Sequence, residues 1–492
     1  MTSVAPAAPD APAGRVAAPG TARSAAAFTL GTALQRGLSY FFLPLYTRAL
    51  SPAEYGALSV LLAVSTAATF LFSFGLDLAV YRMYFQLEGS EDQKVFIDSI
   101  WRVLIAVPIL LAVVFGAAAW PLLDQVPRVT GADGLLTLLS AAVGVASTTV
   151  PYAVLRIRRQ LNRFVFLTVL NGVATAVLTL LLVVVAHDGV EGWLIAAVGA
   201  NLLSLIAALW AVPWTRAARF DRAMVVSAVK FGASIVPHSL AGWSLLLADR
   251  LILSAQVSAA SLGVYSLGSN LAIPILIAVQ SLNQAVMPSY AAAGRGDEPP
   301  RSLEQIVLLQ NVVAVGLGLA AALLATPVVQ LLAAPDFHGA APVLAWTALG
   351  YVFTGMYFVP MNGATLAAGK TRLVWVRTVV CALINIGLII VLVPIGGIVL
   401  AAVASAAGYF CMLVAIASYS RDPRNPVRYP WRKLATLIVL GLVTFVAGSE
   451  TTPSGGLVGT AGRIGWLLVF VVSLFACGVL DRKLVTRHLV SG

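Results

Sequence analysis

Apolar stretches of about 20 residues recur from residue 25 to residue 480, and few charges interrupt them. About 20 apolar residues of helix cross the hydrocarbon core of a bilayer, so this recurrence constrains the chain more than any motif does. Only 10% of the 492 residues are charged and 60% are hydrophobic, against about 25% charged in a soluble domain. That balance excludes an ordinary soluble enzyme, a disordered chain and a nucleic-acid module. The sequence reads as an all-α membrane protein with about fourteen transmembrane helices. The expected spans are 25–47, 55–80, 99–122, 134–155, 164–186, 192–213, 228–250, 261–290, 305–332, 341–367, 372–393, 397–418, 432–448 and 463–480. The ninth is interrupted by Thr326-Pro327, and a Gly/Ser/Thr-rich stretch separates the last two.

The net charge of +11 follows from topology. With the N-terminus in the cytoplasm, the tails and even-numbered loops collect the basic residues, among them Arg156, Arg158, Arg159 and Arg163, then Arg216, Arg219 and Arg222, then Arg421, Arg424 and Arg428. The odd loops hold Arg48, Arg128, Arg250 and Arg463 and more of the acids. This is the positive-inside pattern, and it places both termini of a multi-pass membrane protein in the cytoplasm; the excess of Ala, Val, Arg and Gly over Lys and Asn points to a GC-rich bacterial genome, so the expected location is a bacterial cell (inner) membrane. The Arg156–Arg163 patch reads first as topology and lipid-headgroup contact, with recruitment of a pyrophosphate as the alternative. Cys381, Cys411 and Cys477 each stand in an apolar run without metal-ligand spacing, so neither a metal nor a cofactor is expected. External loops are short, and the sequence has no HExxH, GxSxG or P-loop motif. The expectation is therefore a protein that is not an enzyme.

Spans one and two resemble spans seven and eight, with Gly31 opposite Gly232, Arg48 opposite Arg250 and Gly56 opposite Gly263. An offset of six spans keeps both copies in one orientation, as in parallel repeats related by an axis along the membrane normal. The expected divisions are a tail at 1–23, a six-helix lobe at 24–222, a second at 223–420, and two accessory helices with the C-terminal tail at 421–492.

The runs FFLPLYTRALSPAEYG (Phe41 to Gly56), FGLDLAVYRMYF (Phe74 to Phe85) and ADRLILS with LGVYSLGSNLA (Ala248 to Ala272) resemble the polysaccharide-biosynthesis, O-antigen-type flippases of the multidrug/oligosaccharidyl-lipid/polysaccharide exporter superfamily. The resemblance covers helices one, two, seven and eight. It implies a two-lobed, V-shaped bundle with a central cavity that works by alternating access. It also implies a lipid-linked oligosaccharide as cargo, contact with membrane lipids, H+ or Na+ as coupling ion, polysaccharide polymerases as partners, and no nucleic acid. A lipid II flippase and an ion-coupled small-molecule exporter are the alternatives.

Residues at membrane depth carry what remains of function. A charge there costs about 2.5–3.5 kcal/mol and faces a partner or a wet cavity. Arg36, with Gln35 and Tyr40 close by on span one, reads either as an anion contact in the cavity or as a structural partner of an acid such as Asp77. His238 on span seven, Asn270 and Gln284 on span eight and Asn362 on span ten read as further cavity residues or as polar contacts between helices. Asp77, Asp249 and Arg250 are the candidate ion-coupling or gating residues. Asp249-Arg250 reads equally as a pair that fixes a helix end at the interface. Ser51-Pro52-Ala53-Glu54 is a helix start, with a capping Ser, a Pro at the first helical position and an acid in the first turn.

Overall fold

The computed structural model describes residues 42–480 apart from 88, 124–128, 213–218, 235, 294–300, 368–370, 422–426 and 454. Every regular element among them is helical. A short α1 (Leu43–Ala49) leads into α2 (Pro52–Ser73), which opens on the expected cap: Ser51 and Glu54 exchange hydrogen bonds in a capping box. Phe74 and Gly75 then adopt φ of 49° and 65° and end the helix. The chain resumes as α3 (Leu76–Tyr84), so the second expected span is a broken helix. Next come α4 (Ser90–Leu123), α5 (Gly131–Ile157), α6 (Leu161–Thr179) with a π-helical end (Leu180–Val185), and α7 (Gly189–Ala211). These helices enclose one apolar cluster around Trp101, Leu155 and Phe164.

The seventh span divides into α8 (Arg222–Ala233) and α9 (Val236–Ser254). Val225 and Ala228 of α8 join the apolar cluster of the first helices, whereas α9 packs on α2 and on α14 (Thr371–Ala417). Between them lie α10 (Ala259–Ala293), α11 (Arg301–Leu323), α12 (Ala325–Leu332), a 3-10 turn (Pro335–Ala340) and α13 (Ala341–Asn362), which ends in a π-helical turn (Gly363–Ala367). The ninth expected span breaks at Leu324, between α11 and α12 and two residues before the expected Thr326-Pro327. The last two helices, α15 (Trp431–Thr451) and α16 (Gly456–Ala476), dock on α11 through Leu319, Leu437 and Phe470. Arg463, placed in a loop by the charge pattern, is instead buried in α16. Its guanidinium donates to the Leu323 carbonyl at 2.8 Å and to Thr452 Oγ1 at 3.3 Å.

Eleven helical segments among the described residues are long and apolar enough to cross a membrane, against the fourteen expected. The first expected span lies almost wholly outside the described residues. The seventh is not among the eleven, because it is broken near Ser234 and carries Lys230, Asp249 and Arg250. The eleventh and twelfth run together as one 42-residue segment, Val376–Ala417. At 1.5 Å per residue that is about 60 Å of helix, twice the hydrocarbon thickness, and its backbone leaves helical geometry at Gly396 and Gly397.

The internal repeat extends further than the sequence comparison reached. Arg163 at the start of α6 donates to the Ala211 carbonyl at the end of α7 at 2.9 Å, and Asn171 bonds Ser204 Oγ at 2.9 Å. At the same spacing in α14, Arg377 donates to the Ala415 carbonyl at 2.6 Å and Asn385 to the Ala404 carbonyl at 3.1 Å. Each Arg and Asn thus ties together two consecutive spans of its own half.

Where α2 crosses α10, the sequence-paired glycines meet each other. A Cβ on Gly56 would overlap the Ala259 carbonyl oxygen, and one on Gly263 would overlap the Pro52 carbonyl oxygen. Ser59 and Ser266, each one turn further on, share a 2.8 Å hydrogen bond. Small residues allow such close approach of helix backbones in lipid. The obstacles here are backbone atoms, which cannot rotate away, so Gly56→Val and Gly263→Val are each expected to cost about 1–3 kcal/mol. Thermal unfolding in detergent checks this, with Gly387→Ala as the control. Nothing lies within 4 Å of a Cβ at Gly387, and that variant is expected to match or exceed the native melting temperature.

Candidate functional site

The helices before residue 233 and those after 236 meet chiefly along α2, which lies against both α9 and α10. At its Ser51 end, Tyr55 packs edge-on against Phe337 with ring centroids 5.7 Å apart, and its hydroxyl accepts from Asn270 Nδ2 at 3.1 Å. Thr47 Oγ1 accepts from the Ala334 N–H at 3.3 Å, while Tyr46 packs on Trp193 at 4.8 Å. The end of α1 is thereby wedged between the two sets of helices. Midway along α2, Trp243 Nε1 donates to the Ala63 carbonyl at 3.0 Å. At the other end the backbones of Gly75 and Gly232 touch, and the Arg82 guanidinium lies 4.6 Å from the Phe231 ring centre. Contacts with the second set of helices therefore hold α2 at its Ser51 end and at its middle, while the chain just beyond its other end is held by α8 of the first set.

Behind the Ser51 end lies a buried ionic network. Asp249 and Arg250 are 9% and 3% exposed, so the pair is an interior one. Arg250 Nη1 reaches Asp249 Oδ1 at 3.2 Å and the Leu246 carbonyl at 3.2 Å, and its Nη2 donates to Asn270 Oδ1 at 2.9 Å. The other carboxylate oxygen accepts from the Tyr265 hydroxyl. Asn270 therefore relays from the ion pair to Tyr55 across the two sets of helices. Neither tyrosine was singled out for this role. Tyr55 reads from sequence as an interface aromatic, and no local pattern marks Tyr265.

The other expected site residues are dispersed. Asn362 is fully buried and donates to Asn283 Oδ1 at 2.7 Å, in a chain that includes Gln310 and Tyr290. That chain joins α10, α11 and α13. Gln284 lies on the exposed side of α10 with Gln280, Ser281 and Pro288, and the exposed positions of this half of the helix include no large apolar side chain. The outward faces of α4 and α14, by contrast, expose Leu110, Val114, Leu383 and Val391. Asp77 is exposed in the first turn of α3, beside the Gly75–Gly232 contact. His238 lies in the first turn of α9. Arg36, Gln35 and Tyr40 fall outside the described residues. Among the described residues no group of three His, Cys, Asp or Glu side chains could hold a metal ion.

Comparison with known proteins agrees with this architecture. The polysaccharide biosynthesis protein family matches residues 45–342. No curated protein is similar enough in sequence to match. Among solved structures, the lipid II flippase MurJ in an inward closed conformation superposes with a TM-score of 0.73 at 14% identity, over 92% of this chain and 99% of that one. An inward-facing multidrug resistance MATE transporter of the MOP superfamily gives 0.60 at 14% identity, over 81% and 99%. A MOP superfamily transporter from Pyrococcus furiosus, described as having a binding pocket of reversed polarity, gives 0.55 at 13% identity, over 81% and 95%. The matched segment runs from α1 into α13 and takes in the α2–α10 crossing and the Asp249–Arg250 network, and by it the chain belongs to the polysaccharide biosynthesis protein family, with the fold of MOP-superfamily transporters.

Proposed function

We propose that the protein moves a polyprenyl-pyrophosphate-linked oligosaccharide across a bacterial cell membrane by alternating access, without making or breaking covalent bonds in its cargo. The observation that carries this reading is the exposed face of α10. Gln280, Ser281 and Gln284 form a polar wall, whereas the outward faces of α4 and α14 expose Leu110, Val114, Leu383 and Val391. Such a face suits sugar hydroxyls, while the prenyl tail stays in lipid. Membership of the polysaccharide biosynthesis family supports the glycan, and a likeness to MurJ over more of the chain than to the MATE transporter favours a lipid-linked cargo over a small cation.

In this reading fourteen helices cross the membrane with both termini in the cytoplasm. Residues 24–222 and 223–420 form two lobes, with the remaining helices accessory to them. Arg36, with Gln35 and Tyr40, supplies the cation that meets the pyrophosphate, and His238, Asn270 and Asn362 flank the path. Asp77, Asp249 and Arg250 couple movement to H+ or Na+, and polysaccharide polymerases receive the product.

In proteoliposomes, Gln280→Leu/Gln284→Leu is expected to slow flipping of a fluorescent lipid-linked oligosaccharide by about tenfold. Its melting temperature should change little, because exposed positions away from buried features usually shift stability by within about 0.5 kcal/mol. Flipping at the native rate in the double variant would remove the α10 wall from the transport path. Arg36→Ala with full activity would remove the central cation.

A further inference from the structure

We propose that Arg463 is a positioning residue for transport: it ties the accessory helices α15 and α16 to the break between α11 and α12, and through α12 it sets the closure of the Ser51 end. This rests on the flippase reading above and adds to it a role for the last two helices. The break leaves one carbonyl without a helical donor. In a continuous helix the Leu323 carbonyl would accept from the N–H of residue 327, but residue 327 is a proline and has none. Its neighbour, the Leu324 carbonyl, does accept from the Val328 N–H at 2.9 Å. Arg463 Nη1 supplies the missing donor from another helix, at 2.8 Å. The same guanidinium reaches Thr452 Oγ1 through Nε at 3.3 Å, and Thr452 in turn donates to the Gly448 carbonyl. Close by, Trp466 Nε1 donates to Thr451 Oγ1 at 2.9 Å. The end of the α15–α16 hairpin is thus fixed both to itself and to the α11–α12 break. A Cβ on Gly448 would come within 2.9 Å of Leu323 Cδ2, and one on Gly455 within 3.5 Å of Gln330 Oε1, so the hairpin lies directly on the break and on α12.

One orphaned carbonyl does not by itself account for an arginine. Arg463 is buried and forms no ion pair among the described residues, and a buried cation without a counter-charge is costly in a membrane protein. In the topology proposed above this stretch is external, where the positive-inside bias places few cations. A neutral donor would satisfy the carbonyl at lower cost. What the guanidinium adds is a rigid fork, and here the fork spans two elements, the end of α11 and the end of α15. The tie matters because of what lies beyond the break. α12 is only eight residues long, and its Ala325 and Val329 are buried in the same apolar cluster as Leu50, Tyr55 and Phe337. Two residues after α12 ends, the Ala334 N–H donates to Thr47 Oγ1. α12 therefore stands between Arg463 and the contacts that close the Ser51 end, and a short rigid helix carries a shift at one end to the other.

The test measures closure directly. The full chain, with Cys381→Ser, Cys411→Ser and Cys477→Ser, carries nitroxide labels at Arg48→Cys and Asp336→Cys. Both positions are exposed, and they flank the Thr47–Ala334 hydrogen bond. Spin–spin distances in nanodiscs are read beside the melting temperature. Arg463→Ala is expected to raise the population of the longer, open distance about tenfold from that of a minor state, and to lower the melting temperature. Adding Pro327→Ala gives the Leu323 carbonyl a backbone N–H. That double variant is expected to regain the melting temperature yet keep the open population, because the tie to α16 is still missing. Pro327→Ala alone is expected to stay closed, since a carbonyl has two lone pairs and can accept from both donors. Closure regained in the double variant would overturn the proposal, because Arg463 would then only fill a hydrogen bond. So would unchanged distances in Arg463→Ala, or opening in Pro327→Ala alone. If Arg463→Ala does not fold, the double variant carries the test. Flipping of the fluorescent lipid-linked oligosaccharide is read in parallel in proteoliposomes and should fall in the double variant. A native protein that does not flip this lipid, while the double variant opens, removes the flippase reading alone. One that flips normally while every variant stays closed removes the role of Arg463 alone.

Discussion

Arg250→Ala is expected to destabilise the protein by about 3–5 kcal/mol, the usual cost of removing one member of a buried ion pair. The deletion leaves the Asp249 carboxylate buried with only the Tyr265 hydroxyl and the Arg250 backbone N–H as donors. It also leaves Asn270 Oδ1 without the guanidinium that holds it. Asn270 in turn meets Tyr55 across the contact between α2 and α10, so loosening should spread to the closed Ser51 end. Replacing both charges, as Asp249→Leu/Arg250→Leu, is expected to cost much less than the sum of the single changes, because no charge is then left unpaired. Unfolding of the purified protein and a double-mutant cycle measure both effects. Additive losses would mean that the pair is solvated rather than buried. Flipping by the double variant then asks whether the charges serve transport or only packing: native activity would remove Asp249 and Arg250 from ion coupling.

That pair also marks the limit of what could be read from sequence. Hydropathy located nearly every helix, because length and apolarity suffice to define a span. Hydropathy does not say which way a polar residue on such a helix points. A helix in lipid is apolar all round, so the stripe that orients a helix in a soluble protein is missing. Asp249-Arg250 therefore read equally as a snorkelling pair, and Arg463 read as a loop charge, although both arginines are buried. Asn362 read as a cavity residue or a contact between helices, and it lies in a sealed amide chain. Gly56 and Gly263 read as counterparts in a repeat; only the structure shows that the counterparts touch. The Arg163/Asn171 and Arg377/Asn385 repeat lies beyond the stretch that the sequence comparison reached, and it needed the partner groups to acquire a meaning.

Cross-linking Ser59→Cys to Ser266→Cys is expected to abolish flipping in proportion to the fraction linked, and a reductant is expected to restore it. The two hydroxyls are 2.8 Å apart and both side chains are buried, so paired thiols can form a disulfide there without moving the backbone far. The link would join α2 to α10 one turn from the Gly56–Gly263 crossing, where neither helix can slide past the other. If the cargo leaves at the Ser51 end, this contact must open once in every cycle. The contacts of Tyr55 with Phe337 and of Thr47 with Ala334 must open with it. A link between Asn171→Cys and Ser204→Cys serves as the control. It ties α6 to α7 within one half of the repeat, where rocking of the halves requires no separation, and flipping should persist. Cys477, the exposed native cysteine, is replaced in both backgrounds to prevent mispairing. Flipping by the fully linked Ser59–Ser266 variant would mean that the Ser51 end stays shut throughout the cycle. Cargo would then have to pass beside α2 rather than between α2 and α10.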